Sequence, residues 1–94
     1  MAISNDEVRS FTRQFAQLFD DKKALLPGLH DLARQQENAE FQEVLNRVAD
    51  DVEAGHLLSS AFSLHPEVFD ERYILTVRYG EMYGVLEETI QRLI

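Results

Sequence analysis

Cysteine and tryptophan are absent from this sequence of 94 residues, and it contains only two prolines and four glycines. Without cysteine, neither a disulfide framework nor a thiolate metal site can form. Apolar runs are short, and none approaches the roughly 18 residues that a membrane-spanning helix requires. Residues 1–10 also lack a basic segment followed by an apolar one, so no signal peptide is indicated. These absences predict a soluble chain that depends on its own hydrophobic core.

Basic residues are outnumbered by acidic ones. Nine Lys and Arg stand against 17 Asp and Glu, which gives a formal net charge of −8. Surplus carboxylates repel phosphate groups, so nucleic acid and anionic membrane surfaces are disfavoured as partners. A basic patch on another protein is the partner that such a surface would attract. An equally good interpretation is that the charge only keeps a helical surface soluble.

Apolar residues at helical spacing dominate what is present. They recur three and four positions apart in successive stripes, and no segment alternates apolar and polar residues for long enough to indicate a strand. The stripes and their breaks predict six helices. The first begins at a cap among residues 4–6 and ends in the polar residues 20–23. The others are predicted over residues 24–36, 38–55, 58–64, 70–82 and 85–94. We therefore predict an all-α fold, a compact six-helix antiparallel bundle that forms a single domain over residues 1–94.

Five residues at corners and helix ends are predicted to form a structural motif. Gly80 within a helix costs about 1 kcal/mol relative to alanine, which predicts close approach of another helix. Gly84 is expected to reverse the chain, and Glu81 to accept hydrogen bonds from the free N–H groups of a helix start. Gly55 suits a left-handed helix cap, and Pro66 ends the short helix before it.

Catalytic and metal-binding spacings are missing. The three histidines, His30, His56 and His65, do not form a His-Glu-x-x-His pattern, and surface or helix-end positions are expected for them. The serines of the short helix lack a Gly-x-Ser-x-Gly elbow, so local backbone hydrogen bonding is the preferred interpretation of Ser59 or Ser60. No nucleotide-binding loop is present either. We predict no catalytic residue, no cofactor and no enzymatic activity.

Neighbouring carboxylates occur at residues 50–51 and 87–88. Adjacent residues on a helix point in different directions, and no Asp-x-Asp-x-Asp-Gly loop is present to bind calcium. A solvated helical face is the favoured interpretation, and no metal site is predicted. A cation held between helices or between subunits stays open as an alternative.

Four short segments stand out along the chain: Phe-Thr-Arg-Gln-Phe-Ala at residues 11–16, Gly-x-x-Leu-Ser-x-Ala at residues 55–61, His-Pro-x-Val-Phe at residues 65–69 and Gly-Glu-x-x-Gly-x-Leu at residues 80–86. Taken together, they resemble the type II secretion F domain. The first is similar to the family's opening Phe-Thr-Arg-Gln-Leu-Ala, and the other three resemble its corresponding stretches. The segments follow the family's order along nearly the whole chain. One departure is Asp-Lys-Lys-Ala-Leu at residues 21–25, where the family often has Ala-Gly-x-Pro-Leu.

The resemblance implies a six-helix cytoplasmic domain of an inner-membrane platform protein of type II secretion or type IV pilus assembly. It implies a place at the cytoplasmic face of the bacterial inner membrane, near the assembly ATPase, and a domain excised from a larger membrane protein. The expected role is a non-catalytic interaction module that binds the ATPase and other machine components, with a homodimer as a further expectation. Tyr83 and Ile94 are candidate contact residues. The alternative is a free-standing helical adaptor with an unrelated protein partner.

Overall fold

The computed structural model describes residues 3–21 and 24–94, and these residues form six α-helices without a strand. The all-α prediction is therefore confirmed. The helices are α1 Asn5–Asp20, α2 Leu25–Gln35, α3 Ala39–Glu53, α4 Leu58–Ser63, α5 Glu71–Tyr83 and α6 Leu86–Gln91. Lys22 and Lys23, which belong to the predicted polar end of the first helix and to the departure from the family pattern, lie outside the described residues.

Side-chain caps begin three of the helices. Ser4 and Glu7 form a reciprocal capping box at α1, and Asn38 and Asp70 accept backbone N–H bonds at the starts of α3 and α5. The backbone N–H of Ser4 donates to Glu7, and this bond is the main reason why the pKa of Glu7 lies below its ordinary value. Asn38 also donates to Glu7 at 3.3 Å, which links the starts of α1 and α3.

Consecutive helices pack against each other along the chain, and α6 returns to contact α1. The bundle is thereby closed into a ring around one core. Its radius of gyration is 12.0 Å, close to the value of about 12 Å expected for a compact chain of this length.

Aromatic side chains occupy the centre of this core. Phe62 is fully buried and lies 4.4 Å from Phe69 and 5.4 Å from Tyr73, measured between ring centroids. Phe11 stacks on Phe15 at 5.5 Å. Edge and stacked ring pairs of this kind add to the free energy gained from burying their area. The core therefore joins residues from α1, α4 and α5.

A buried polar pair crosses the same core. The Thr12 hydroxyl donates to the Val8 carbonyl at 2.7 Å and lies 2.8 Å from the Tyr73 hydroxyl. Because the single proton of Thr12 is used on Val8, the Tyr73 hydroxyl must be the donor to Thr12. Burial raises the pKa of Tyr73 well above its ordinary value, so this hydroxyl stays protonated.

Most helix ends differ from the sequence prediction by one or two residues, and the end of the last helix differs by three. Asp70 is the cap of α5 rather than its first residue, and Leu64 caps α4. The last helix is shorter than the predicted 85–94, because it ends at Gln91. After it, the amides of Arg92 and Leu93 donate to carbonyls three residues earlier, so the final turn tightens and leaves α-helical geometry.

Candidate interaction surface

The corner between α5 and α6 depends on two glycines. Gly80 is buried, and a Cβ at this position would lie 2.8 Å from the Cα of Leu86 and would also press on the Thr89 hydroxyl. Gly84 adopts a left-handed conformation with φ of 68°, and its N–H donates to the Gly80 carbonyl. Only glycine places the two backbones this close without displacing α6.

Glu81 connects this corner to α4. Its carboxylate accepts the Ser59 backbone N–H at 2.9 Å and the Ser59 hydroxyl at 2.5 Å. Ser59 lies in the first turn of α4, where Leu57 provides no side-chain cap. Glu81 therefore supplies from another helix the acceptor that the start of α4 lacks. The local backbone bonding predicted for Ser59 is wrong, because its hydroxyl donates to a residue 22 positions away.

Gly55 and Pro66 lie at the two ends of the segment that contains α4. Gly55 has φ of 104°, and the amide of His56 donates to the Asp51 carbonyl at 3.0 Å, which completes a Schellman cap on α3. Pro66 is exposed in a turn in which the Phe69 amide donates to the His65 carbonyl at 2.9 Å. This turn delivers Phe69 to the core, where it is fully buried.

The histidines are distributed over separate places. His30 lies within α2 and is partly buried rather than at a helix end, and its Nε2 is 3.4 Å from a Glu53 carboxylate oxygen. His56 is exposed after α3, whereas the Nε2 of His65 is buried without a partner among the described residues.

One group of side chains has the ligand types and spacing to hold a divalent metal. His30, Asp50 and Glu53 each offer a ligand atom, and these atoms lie within 4.8 Å of one another. Asp50 and Glu53 are three residues apart on α3, so both face α2. Sequence spacing did not reveal this group, because the histidine comes from a different helix. All three side chains reach solvent, and the contact between His30 Nε2 and the Glu53 carboxylate suffices to explain their proximity.

Exposed apolar residues are concentrated on α5. Leu75, Tyr79, Met82 and Tyr83 are each at least 50% exposed. They follow one another by four, three and one positions, which places them on one face, opposite the buried Tyr73, Val77 and Gly80. Ile94, the other contact residue expected from the sequence, is 40% exposed. We call the four exposed α5 residues the outer face of α5.

A groove between α5 and α6 lies beside this face. Leu75 and Tyr79 contribute its apolar part, and Arg72 and Arg92 line it as well. The Arg72 guanidinium donates to the Arg92 carbonyl at 3.1 Å, at the end of α6. In the part of the chain that the structure describes, neither guanidinium forms an ion pair, whereas Arg34 and Arg47 are paired with carboxylates on their own helices.

Comparison with known proteins places the sequence in a family. The family described as type II secretion system (T2SS), protein F, matches residues 11–94. The type IV pilus assembly protein PilC of Myxococcus xanthus is 36% identical over 97% of this chain. PilC of Thermus thermophilus is 41% identical over 88% of the chain, and the type II secretion system protein F of Vibrio cholerae is 33% identical over 97%. The chain belongs to the type II secretion system protein F family.

The matched region is a minor part of these relatives. The chain spans 22% of the Myxococcus xanthus protein, 20% of the Thermus thermophilus protein and 22% of the Vibrio cholerae protein. Within the described residues, every helix is too short or too polar to cross a bilayer.

Proposed function

We propose that this chain is a non-catalytic structural and interaction module of the platform protein in type II secretion or type IV pilus assembly. The match of residues 11–94 to the family carries this proposal, together with relatives named for both kinds of machine. The outer face of α5 supports an interaction role, since apolar side chains on the side of a helix away from the core commonly mark a contact surface.

Within this proposal, the module lies at the cytoplasmic face of the bacterial inner membrane and contacts the assembly ATPase and other machine components. The test uses a bacterium in which pilus assembly or secretion depends on the full-length protein that carries this chain. Replacing this module with an unrelated helical bundle of similar size should abolish assembly and copurification of the ATPase, while the rest of the protein stays in the membrane. Normal assembly with the replaced module would refute the proposal.

Self-association is a second element of the proposal. A symmetric dimer requires one surface patch to be complementary to itself. Sedimentation equilibrium of the purified chain over a wide concentration range should give a mass above that of the monomer. A monomer at the highest concentration would remove the dimer from the proposal and leave the interaction role unaffected.

A further inference from the structure

We infer that the groove between α5 and α6, with the outer face of α5, binds an apolar helical segment that carries acidic residues. This inference rests on the proposed interaction role and assigns it a surface and a partner chemistry. Its starting point is that α5 is apolar on two sides. Tyr73, Val77 and Gly80 face the core, whereas Leu75, Tyr79, Met82 and Tyr83 face outward. A helix apolar on both sides is normally covered on both.

The composition of the outer face is typical of a protein contact. Tyrosine, methionine and arginine are enriched at interfaces, and tyrosine and arginine often carry much of the binding energy. Tyr79 and Tyr83 lie against each other with ring centroids 4.6 Å apart, so their orientations are already restricted before a partner binds. Restricted side chains lose less conformational entropy on association, which favours binding.

The charges beside the groove determine the kind of partner. The chain carries a net charge of −8, yet the charged side chains that line this groove are Arg72 and Arg92. Glu88, one turn before Arg92, makes no ion pair with it among the described residues. Both arginines that line the groove therefore lack a carboxylate partner there, and acidic side chains on a partner would supply charge-assisted hydrogen bonds to them.

The same charges disfavour a second copy of this chain as the occupant. In a two-fold dimer the same patch meets itself, so Arg72 and Arg92 of one copy would face the same arginines of the other. Like charges opposed across an interface reduce affinity. A helix whose leucines enter the groove and whose glutamates reach the arginines satisfies both features of the surface.

The test uses two synthetic amphipathic peptides of about 18 residues, which is long enough to cover the ~20 Å of α5. Both carry the same leucine stripe, and the flanking positions are glutamate in one and lysine in the other. We expect the glutamate peptide to shift amide resonances of α5 and α6 in the ¹⁵N-labelled chain, and to bind at least about tenfold more tightly than the lysine peptide.

Variants of the chain locate the site. Tyr79→Ala and Met82→Ala should each weaken binding of the glutamate peptide about tenfold, whereas Leu64→Ala, at a comparably exposed leucine just after α4, should leave it unchanged. The double variant R72E/R92E should reverse the preference between the peptides, and the exposed Arg13→Glu should not. Circular dichroism melting checks that each variant is folded, and only small shifts in Tm are expected at these exposed positions.

Four results would overturn the inference: equal affinity for the two peptides, resonance shifts confined to other helices, no binding at millimolar peptide, or self-association that Met82→Ala abolishes. Its failure is distinguishable from failure of the proposed function. If the full-length protein needs this module for assembly but tolerates Tyr79→Ala with R72E/R92E, the inference is wrong and the interaction role stands. If assembly proceeds without the module, the proposed function itself fails.

Discussion

Replacing Gly80 with alanine sets two effects of opposite sign against each other. Alanine has the higher helix propensity, which would stabilise α5 by about 1 kcal/mol. However, the new methyl group would lie 2.8 Å from the Cα of Leu86 and would press on the hydroxyl of Thr89, whose side chain is buried. The obstacle at Leu86 is backbone, so it cannot rotate away, and α6 must shift as a unit. Inserting a group into a well-packed region costs about 1–3 kcal/mol.

Steric cost should exceed the propensity gain, because α6 is also held by its packing on α1. We expect Gly80→Ala to lower the free energy of unfolding by up to about 2 kcal/mol, which for a chain of this size corresponds to a fall in Tm of up to roughly 15 °C. Urea denaturation followed by circular dichroism measures the free energy of unfolding, and scanning calorimetry measures Tm. Adding Thr89→Ala should recover only part of the loss, since the contact with Leu86 remains.

The matched control is Gly84→Asn. Gly84 has φ of 68° but no atom within 4 Å of a Cβ, and asparagine tolerates the left-handed region. This variant should lose less than about 1 kcal/mol. If Gly80→Ala instead raises the free energy of unfolding by the amount that helix propensity predicts, the close approach of α5 and α6 is wrong.

Three further predictions concern the core and the links between helices. Phe62→Ala should lower the free energy of unfolding by about 3–5 kcal/mol in urea titration, because the ring is fully buried; a loss below about 1 kcal/mol would contradict that burial. Glu81→Ala should lower the free energy of unfolding by about 1–3 kcal/mol, because it leaves the part-buried donors of Ser59 unpaired. A double-mutant cycle with Ser59→Ala should give a coupling energy above about 0.5 kcal/mol, and additive losses of stability would exclude the contact. The pKa of Glu7 is lowered by folding, so its stabilising contribution is complete above the ordinary value of 4.5 and is lost as the pH falls through the lowered pKa. Glu7→Gln should therefore reduce the pH dependence of stability below pH 4.5, and an unchanged acid profile would argue against the capping box.

The positions of the helices could be predicted because their signals are local. A stripe of apolar residues at spacings of three and four, an Asn38 or Asp70 at a helix start, and Gly55 or Gly84 at a helix end each act within a few residues. The last helix was predicted too long for a related reason. Its apolar residues continue through Leu93, but the amides after Gln91 bond three residues back, and periodicity does not distinguish the two kinds of turn.

Contacts between residues far apart in the sequence were harder to predict. Glu81 was expected to accept bonds from a helix start, but not from α4, which precedes it by 22 residues. The group formed by His30, Asp50 and Glu53 was not predicted, because it exists only where α2 packs on α3. Of the outer face of α5, only Tyr83 was predicted from the sequence to be a contact residue. An apolar residue in a helix looks the same in sequence whether it faces the core or solvent.

The sequence by itself determined that this chain is all-helical, where most of its helices begin and end, and which family it resembles, because propensity, capping and short motifs act over a few residues. The tertiary structure decided which of the two apolar sides of α5 is buried, which helix start Glu81 caps, and that Arg72 and Arg92 share one groove. These outcomes depend on how six helices close into a ring, and that closure is governed by packing between residues far apart in the chain.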